Sequence, residues 1–161
     1  MTFEEFFDAY VVNFMLRDVS RELAMASRGE DAGNFLAALG LLTYTEVMGS
    51  FVPGVGTGKR QRFDAFFGRL GPCYAAQLPS NPYRVYRCGM VHSYLVEGRC
   101  EISMFDAGTA RCGLFKGEDG WHHLIVDRYF EDFVVACDRL HRELAGHRHP
   151  LIHTYAPNRL P

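Results

Sequence analysis

The run from Phe35 to Leu42 carries no polar side chain, and a chain built around it has few ways to hide it. It sits inside a segment, Ala32 to about Phe51, that is apolar on nearly every side if wound as a helix. Such a helix must be covered all round, so it belongs in the middle of a packed set of helices. This is the longest uninterrupted apolar stretch, and it falls well short of the roughly 20 residues a membrane span needs.

The flanking segments supply the cover. Thr2 followed by Glu5 is a capping box, in which hydroxyl and carboxylate satisfy free backbone donors reciprocally. Phe3, Phe6, Phe7, Tyr10, Phe14 and Leu23 recur at helical spacing and predict a long first helix, fraying near Arg28-Gly29. Asp31 is the expected cap of the second helix. Past the flexible Pro53–Gly58 connection, a third helix is predicted from about Lys59 to Leu70. Phe63, Phe66, Phe67 and Leu70 face inward there, and Gly71-Pro72 is the stop. Ser80 is the expected cap of a fourth helix, from Tyr83 to about Tyr94, with Pro82 harmless in its first turn.

After Gly98 the period changes. Cys100–Phe105, Arg111–Lys116 and Trp121–Val126 are short segments parted by Asp106-Ala107-Gly108 and Gly117–Gly120, which predicts a small antiparallel meander. Asp127 is the expected cap of a last helix lined by Phe130, Phe133, Val134, Cys137, Leu140 and Leu144 and closed at Gly146. The expected fold class is mainly all-α. It is an antiparallel four- or five-helix bundle with a β-hairpin or meander inserted at about 100–126. Residues 1–146 read as one domain, and 147–161 as a C-terminal tail, loosely ordered or draped on a neighbour.

Composition excludes other classes. Across 161 residues, 48% are hydrophobic and 22% charged, enough for a real core and unlike a disordered chain. Five cysteines form an odd set with no CxxC pair, so neither a disulfide framework nor a zinc site is expected, and the thiols read as reduced. Glu4 and Glu5 open the chain without a basic leader, so no signal peptide is expected and the chain reads as cytoplasmic. Net charge is −2, yet Lys59, Arg60, Arg62, Arg69, Arg84 and Arg87 stand against one acid, Asp64, between Gly54 and His92. That asymmetry reads either as solvated helix faces or as a local anion-binding face.

Pro53–Gly58 followed by Lys59 is no phosphate loop. Pro53 stands where the first glycine should be, Arg60 replaces the Ser or Thr, and a helix precedes it. His122 and His123 are neighbours on a strand and point to opposite faces, so they cannot chelate one ion together. His147, His149 and His153 could gather a metal in the tail, but with no acid nearby in sequence no physiological metal is expected. No cofactor motif is present.

The chemistry-bearing residues lie in the fourth helix. Arg87 and His92 interrupt a segment whose other members mostly favour burial, and a guanidinium among apolar neighbours needs an anion or hydrogen-bond partner. The stretch Arg87-Cys88-Gly89-Met90-Val91-His92, late in a helix of an all-α chain, resembles the Arg-x4-His signature of HEPN domains. More loosely, the likeness extends to the two long preceding helices, the Arg60-Gln61-Arg62-Phe63 start of the third, and the closing helix, so it covers most of residues 3 to 146. It implies a homodimer with metal-independent endoribonuclease or RNA-binding activity, or a toxin paired with an antitoxin-like nucleotidyltransferase. The residue after the arginine is commonly polar in that family, and here it is Cys88, a departure that bears on catalysis more than on fold.

The residue types suit the chemistry. The imidazole of His92 is of the residue type that can take a proton from a ribose 2′-hydroxyl. The fixed fork of Arg87 can hold a phosphate. Arg60, Arg62 and Arg84 are candidates for the approach, with Tyr86 and Ser93 beside the pair. On an ideal helix, five residues set Arg87 and His92 about 140° and about 7.5 Å apart. A second subunit or a distorted turn would have to unite them. The alternative is structural: Arg87 pairing with Glu46 or Asp64, His92 favoured near a helix C-terminus by the macrodipole, and a non-catalytic dimeric bundle that binds a protein.

Overall fold

Thr2 opens the first helix as the capping box predicts, with Glu5 N–H donating to its hydroxyl at 3.2 Å and its own N–H donating to the Glu5 carboxylate at 2.8 Å. The computed structural model describes residues 1–30, 34–93, 99–105 and 112–155, without the side chains of Ser93 and His153. The caps and turns expected at Asp31, Asp106–Gly108 and Tyr94 lie outside these residues.

Helix α1 is continuous through three pieces: Phe3–Phe6 in α register, Phe7–Leu16 in π register and Arg17–Ser27 in α register again. The π register corrects the predicted face. Phe7, Val11, Val12, Leu16 and Val19 are buried, whereas Tyr10 and Phe14 are 45% and 49% exposed. Buried positions four to five apart suit i→i+5 bonding rather than a 3.6-residue period. α2 (Asn34–Gly49) buries Ala37, Ala38, Leu41, Leu42, Thr45 and Met48, but it is not covered all round as expected, since Leu36 is 64% exposed.

α3 (Lys59–Arg69) turns Phe63, Phe66 and Phe67 into the core and crosses α2 very closely. A methyl added at Gly49 would overlap the Arg62 carbonyl. Gly49→Ala should therefore cost about 2–3 kcal/mol in urea unfolding, although helix propensity alone predicts a gain of about 1 kcal/mol. A gain would show that the crossing is looser than described.

A short helix, α4 (Pro72–Ala75), leads to α5, made of a π segment, Tyr83–Cys88, and an α segment, Gly89–Ser93. Its start corrects the expected cap. The Ser80 hydroxyl donates back to the Gln77 carbonyl, and Asn81 Oδ1 instead receives the Arg84 N–H at 3.4 Å.

The sheet is not the predicted meander. β1 (Cys100–Ser103), β2 (Leu114–Lys116) and β3 (His122–Ile125) lie in the order β1-β3-β2. β2 and β3 form the expected antiparallel hairpin, but β1 runs parallel to β3, with Cys100 beside His122 and Ser103 beside Ile125. Contacts distant in sequence hold it there. The Asn34 side chain donates to the Ile102 carbonyl at 3.2 Å, and Asp127 accepts the Phe105 N–H at 3.1 Å. Asp127 thus ties down β1 instead of capping the helix that follows.

That helix, α6 (Val126–Ala145), buries Tyr129, Phe130, Phe133, Val134, Cys137 and Leu140 and stops at Gly146 in left-handed geometry. Edge-to-face rings link it to its neighbours: Phe66 with Phe133, and Phe67 with Tyr74 and then Tyr129. Buried hydroxyls are paired too. Thr45 donates to the Leu41 carbonyl at 2.8 Å and lies 2.9 Å from the Tyr129 hydroxyl. Tyr74 donates to Asp132 and accepts the Gly113 N–H, both at 2.7 Å.

Two further expectations are corrected. Cys73 and Cys112 are joined by a disulfide, with Cα atoms 6.2 Å apart, while Cys88, Cys100 and Cys137 are free. The Gln77 side chain, donating to the Leu114 carbonyl at 2.6 Å, helps hold the two segments within bonding range. Nor is the tail loose as far as Tyr155. Ile152 is buried, Arg148 meets the buried Asp138 carboxylate at 3.5 Å, and the Tyr155 hydroxyl donates to the Val12 carbonyl at 3.2 Å. The protein is mainly helical with a small mixed sheet, and among the described residues no helix is long and apolar enough to cross a membrane.

Candidate functional site

α5 carries the predicted pair but treats its members differently. Arg87 faces α2, where its Nε lies 2.7 Å from Glu46 Oε2, with the two side chains only 15% and 13% exposed. The Tyr83 ring lies 6.0 Å from the guanidinium carbon. Burial, then the Cys88 thiol and Glu46, raise the Tyr83 hydroxyl above its usual range. His92, by contrast, emerges on the surface one residue after the exposed Val91, while Met90 is still buried. Arg87 and His92 therefore share a helix but not an environment. The acid that meets Arg87 is Glu46, not Asp64, which pairs with Arg60 at 3.2 Å.

The approach residues are also partly committed. Arg60 is exposed beside Asp64, and Arg62 is half-buried at the α2–α3 crossing. Arg69 forms a two-pronged pair with Glu143 at 2.6 and 3.2 Å. Arg84 is exposed on the outer side of α5. Ser93 is the last described residue of α5, and its side chain lies outside the described residues. The basic stretch is thus partly neutralised, which a count of charges along the chain does not reveal.

Tyr86 points elsewhere. Its hydroxyl lies 2.7 Å from His122 Nδ1, at a cavity of about 240 Å³ lined by Gln77, Ser80, Val85, Lys116 and these two side chains. Burial pushes the Tyr86 hydroxyl far above its usual range. Burial, then Lys116 and His123, hold His122 below the ordinary imidazole value. A neutral imidazole and a protonated phenol share one hydrogen at that contact. His123 faces the other side of β3, 3.4 Å from Glu101 and 3.6 Å from Asp119, as alternation along a strand requires.

Sequence reasoning missed His122 as a partner of Tyr86, because nothing local ties residue 86 to residue 122. Fold and site together define a mainly helical protein in which α5 carries both a largely buried Arg87, paired with Glu46, and the exposed His92. The chain matches no protein-family model, no curated protein and no solved structure.

Proposed function

We propose that this chain is a HEPN-like antiparallel helical bundle that binds RNA or a nucleotide at α5, with His92 as the exposed contact and Arg87 as the guanidinium behind it. The observation that carries this reading is the exposed imidazole on the helix whose preceding π segment holds Arg87 against Glu46. Arg60, Arg62 and Arg84 supply further positive charge for a phosphate backbone.

Because Glu46 already neutralises Arg87, binding is favoured over cleavage in a single copy. Cleavage, in this reading, belongs to a homodimer in which two Arg–His pairs face one cleft. One His92 would take the 2′-hydroxyl proton, the 2′-oxygen would attack phosphorus, and the bond to the 5′-oxygen would break as the second copy's protonated His92 gives that oxygen a proton, leaving a 2′,3′-cyclic phosphate. A cytoplasmic setting goes with this reading, while the Cys73–Cys112 bond pulls the other way, because cytosolic thiols are kept reduced.

The test uses labelled single-stranded RNA in EDTA. The protein should bind it with an affinity that falls as salt rises, and His92→Ala should bind about tenfold more weakly, equivalent to about 1.4 kcal/mol. Cyclic-phosphate ends that vanish in His92→Ala would extend the reading to catalysis. Failure of the unmodified protein to bind or cut RNA overturns it.

A second reading, a non-catalytic dimeric bundle that binds a protein such as an antitoxin-like nucleotidyltransferase, has one observation in its favour. Phe6, Tyr10 and Phe14 stack in a row, with centroids 5.2 and 6.0 Å apart, and the Arg17 guanidinium caps it 4.9 Å from the Phe14 ring. Tyr10 and Phe14 are half exposed.

A further inference from the structure

The segment after α6 folds back so that three side chains distant in sequence converge. Glu4 stands in the first turn of α1, His141 in the last turns of α6, and His147 just past the Gly146 stop. One carboxylate oxygen and two imidazole nitrogens from these residues lie within 4.8 Å of one another. Glu4 Oε1 is 3.3 Å from His147 Nε2 and 3.8 Å from His141 Nε2. A tetrahedral zinc-type ion with bonds of about 2.0–2.2 Å sets its ligand atoms about 3.3–3.5 Å apart. One of these separations already has that length and the other is a few tenths of an ångström longer.

The hydrogen bonding of the imidazoles points the same way. His141 Nδ1 lies 2.9 Å from the His147 carbonyl, and His147 Nδ1 lies 3.1 Å from the Ala145 carbonyl. A carbonyl can only accept, so each Nδ1 carries the hydrogen, and in the neutral imidazole, the form that binds a metal, Nε2 then keeps its lone pair. Metal-bound histidines are oriented by this kind of bond to the backbone. His149 is set the opposite way. Its Nδ1 accepts the Leu151 N–H at 3.3 Å, so Nε2 carries the hydrogen and faces Asp8 at 3.6 Å.

His141 is buried against the Phe3 and Phe7 rings, at 6.0 and 4.5 Å. Glu4 and His147 are exposed, so an ion can enter from water and keep one side open to it. The acid that tail spacing failed to supply comes from the other end of the chain.

We propose that Glu4, His141 and His147 form a site for a divalent transition ion of the zinc class, with a fourth position left to water or an added ligand. The site is independent of RNA binding at α5. Bound metal fastens the residues beyond Gly146 to the start of α1.

The experiment uses untagged full-length protein, treated with EDTA and desalted, then titrated with Zn²⁺ against a chromogenic chelator. It should take up one equivalent with a Kd at or below about 1 μM, and Zn²⁺ should raise Tm. Loss of an outer partner alone typically weakens a metal site about 10–100-fold, so Glu4→Gln and His147→Ala should each weaken binding at least about tenfold. Both positions are exposed, and circular dichroism checks that each variant stays folded. His149→Ala should bind within about twofold of the unmodified protein. The proposal is overturned if Glu4→Gln/His147→Ala binds Zn²⁺ as tightly as the unmodified chain, or if His149→Ala abolishes binding.

Discussion

Glu46→Met and Arg87→Met should each lower stability by about 3 kcal/mol, while the double variant Glu46→Met/Arg87→Met should return to within about 1 kcal/mol of the unmodified protein. The reason is burial. With the two side chains only 13% and 15% exposed and 2.7 Å apart, removing either leaves the other charged and largely out of water. Removing both replaces a costly pair with apolar volume. A solvent-screened pair would give less than about 1 kcal/mol for each single change. Urea unfolding of the four proteins closes the cycle. The same four proteins bear on RNA binding. If the double variant is stable and still binds RNA, Arg87 is a framework residue and His92 works without it.

Disulfide loss should have an effect at least as large. Joining residues 39 apart removes denatured-chain entropy worth about 4 kcal/mol on the loop-closure account. Unfolding in dithiothreitol, or of Cys73→Ala/Cys112→Ala, should therefore move the urea midpoint down by a corresponding amount. Thiol titration of the denatured, unreduced protein should find the three free cysteines, not all five. Five reactive thiols, with an unfolding midpoint indifferent to reductant, would remove the bond from the account.

What could be read beforehand follows the range of the interactions. The Thr2–Glu5 box, the extent of the third helix, the turn at Gly117–Gly120 and the stop at Gly146 depend on neighbours a few residues away, and each is found where its residues point. The burial of Tyr10 and Phe14 was misplaced because a π segment breaks the 3.6-residue count that assigned them inward. Strand order, the Cys73–Cys112 bond and the Glu4–His141–His147 cluster all join residues far apart in sequence, where no local period reports them. Arg87 lies between these cases. Its need for an anion was plain from its apolar surroundings, and Glu46 was one of two acids in view. Only the packing of α2 against α5 settles which of them it meets.

The sheet has a consequence for how the chain assembles during synthesis. Within the sheet both outer strands pair with β3, the last of the three to leave the ribosome, and β3 passes directly into α6. Until residues 122–125 have been made, β1 and β2 have no ladder to join, and Ile102 and Leu114 have no sheet to pack within. A nascent chain halted before Trp121 should thus carry helices and two unpaired ribbons, a state that invites aggregation, and a lesion in those four residues would undo both ladders at once.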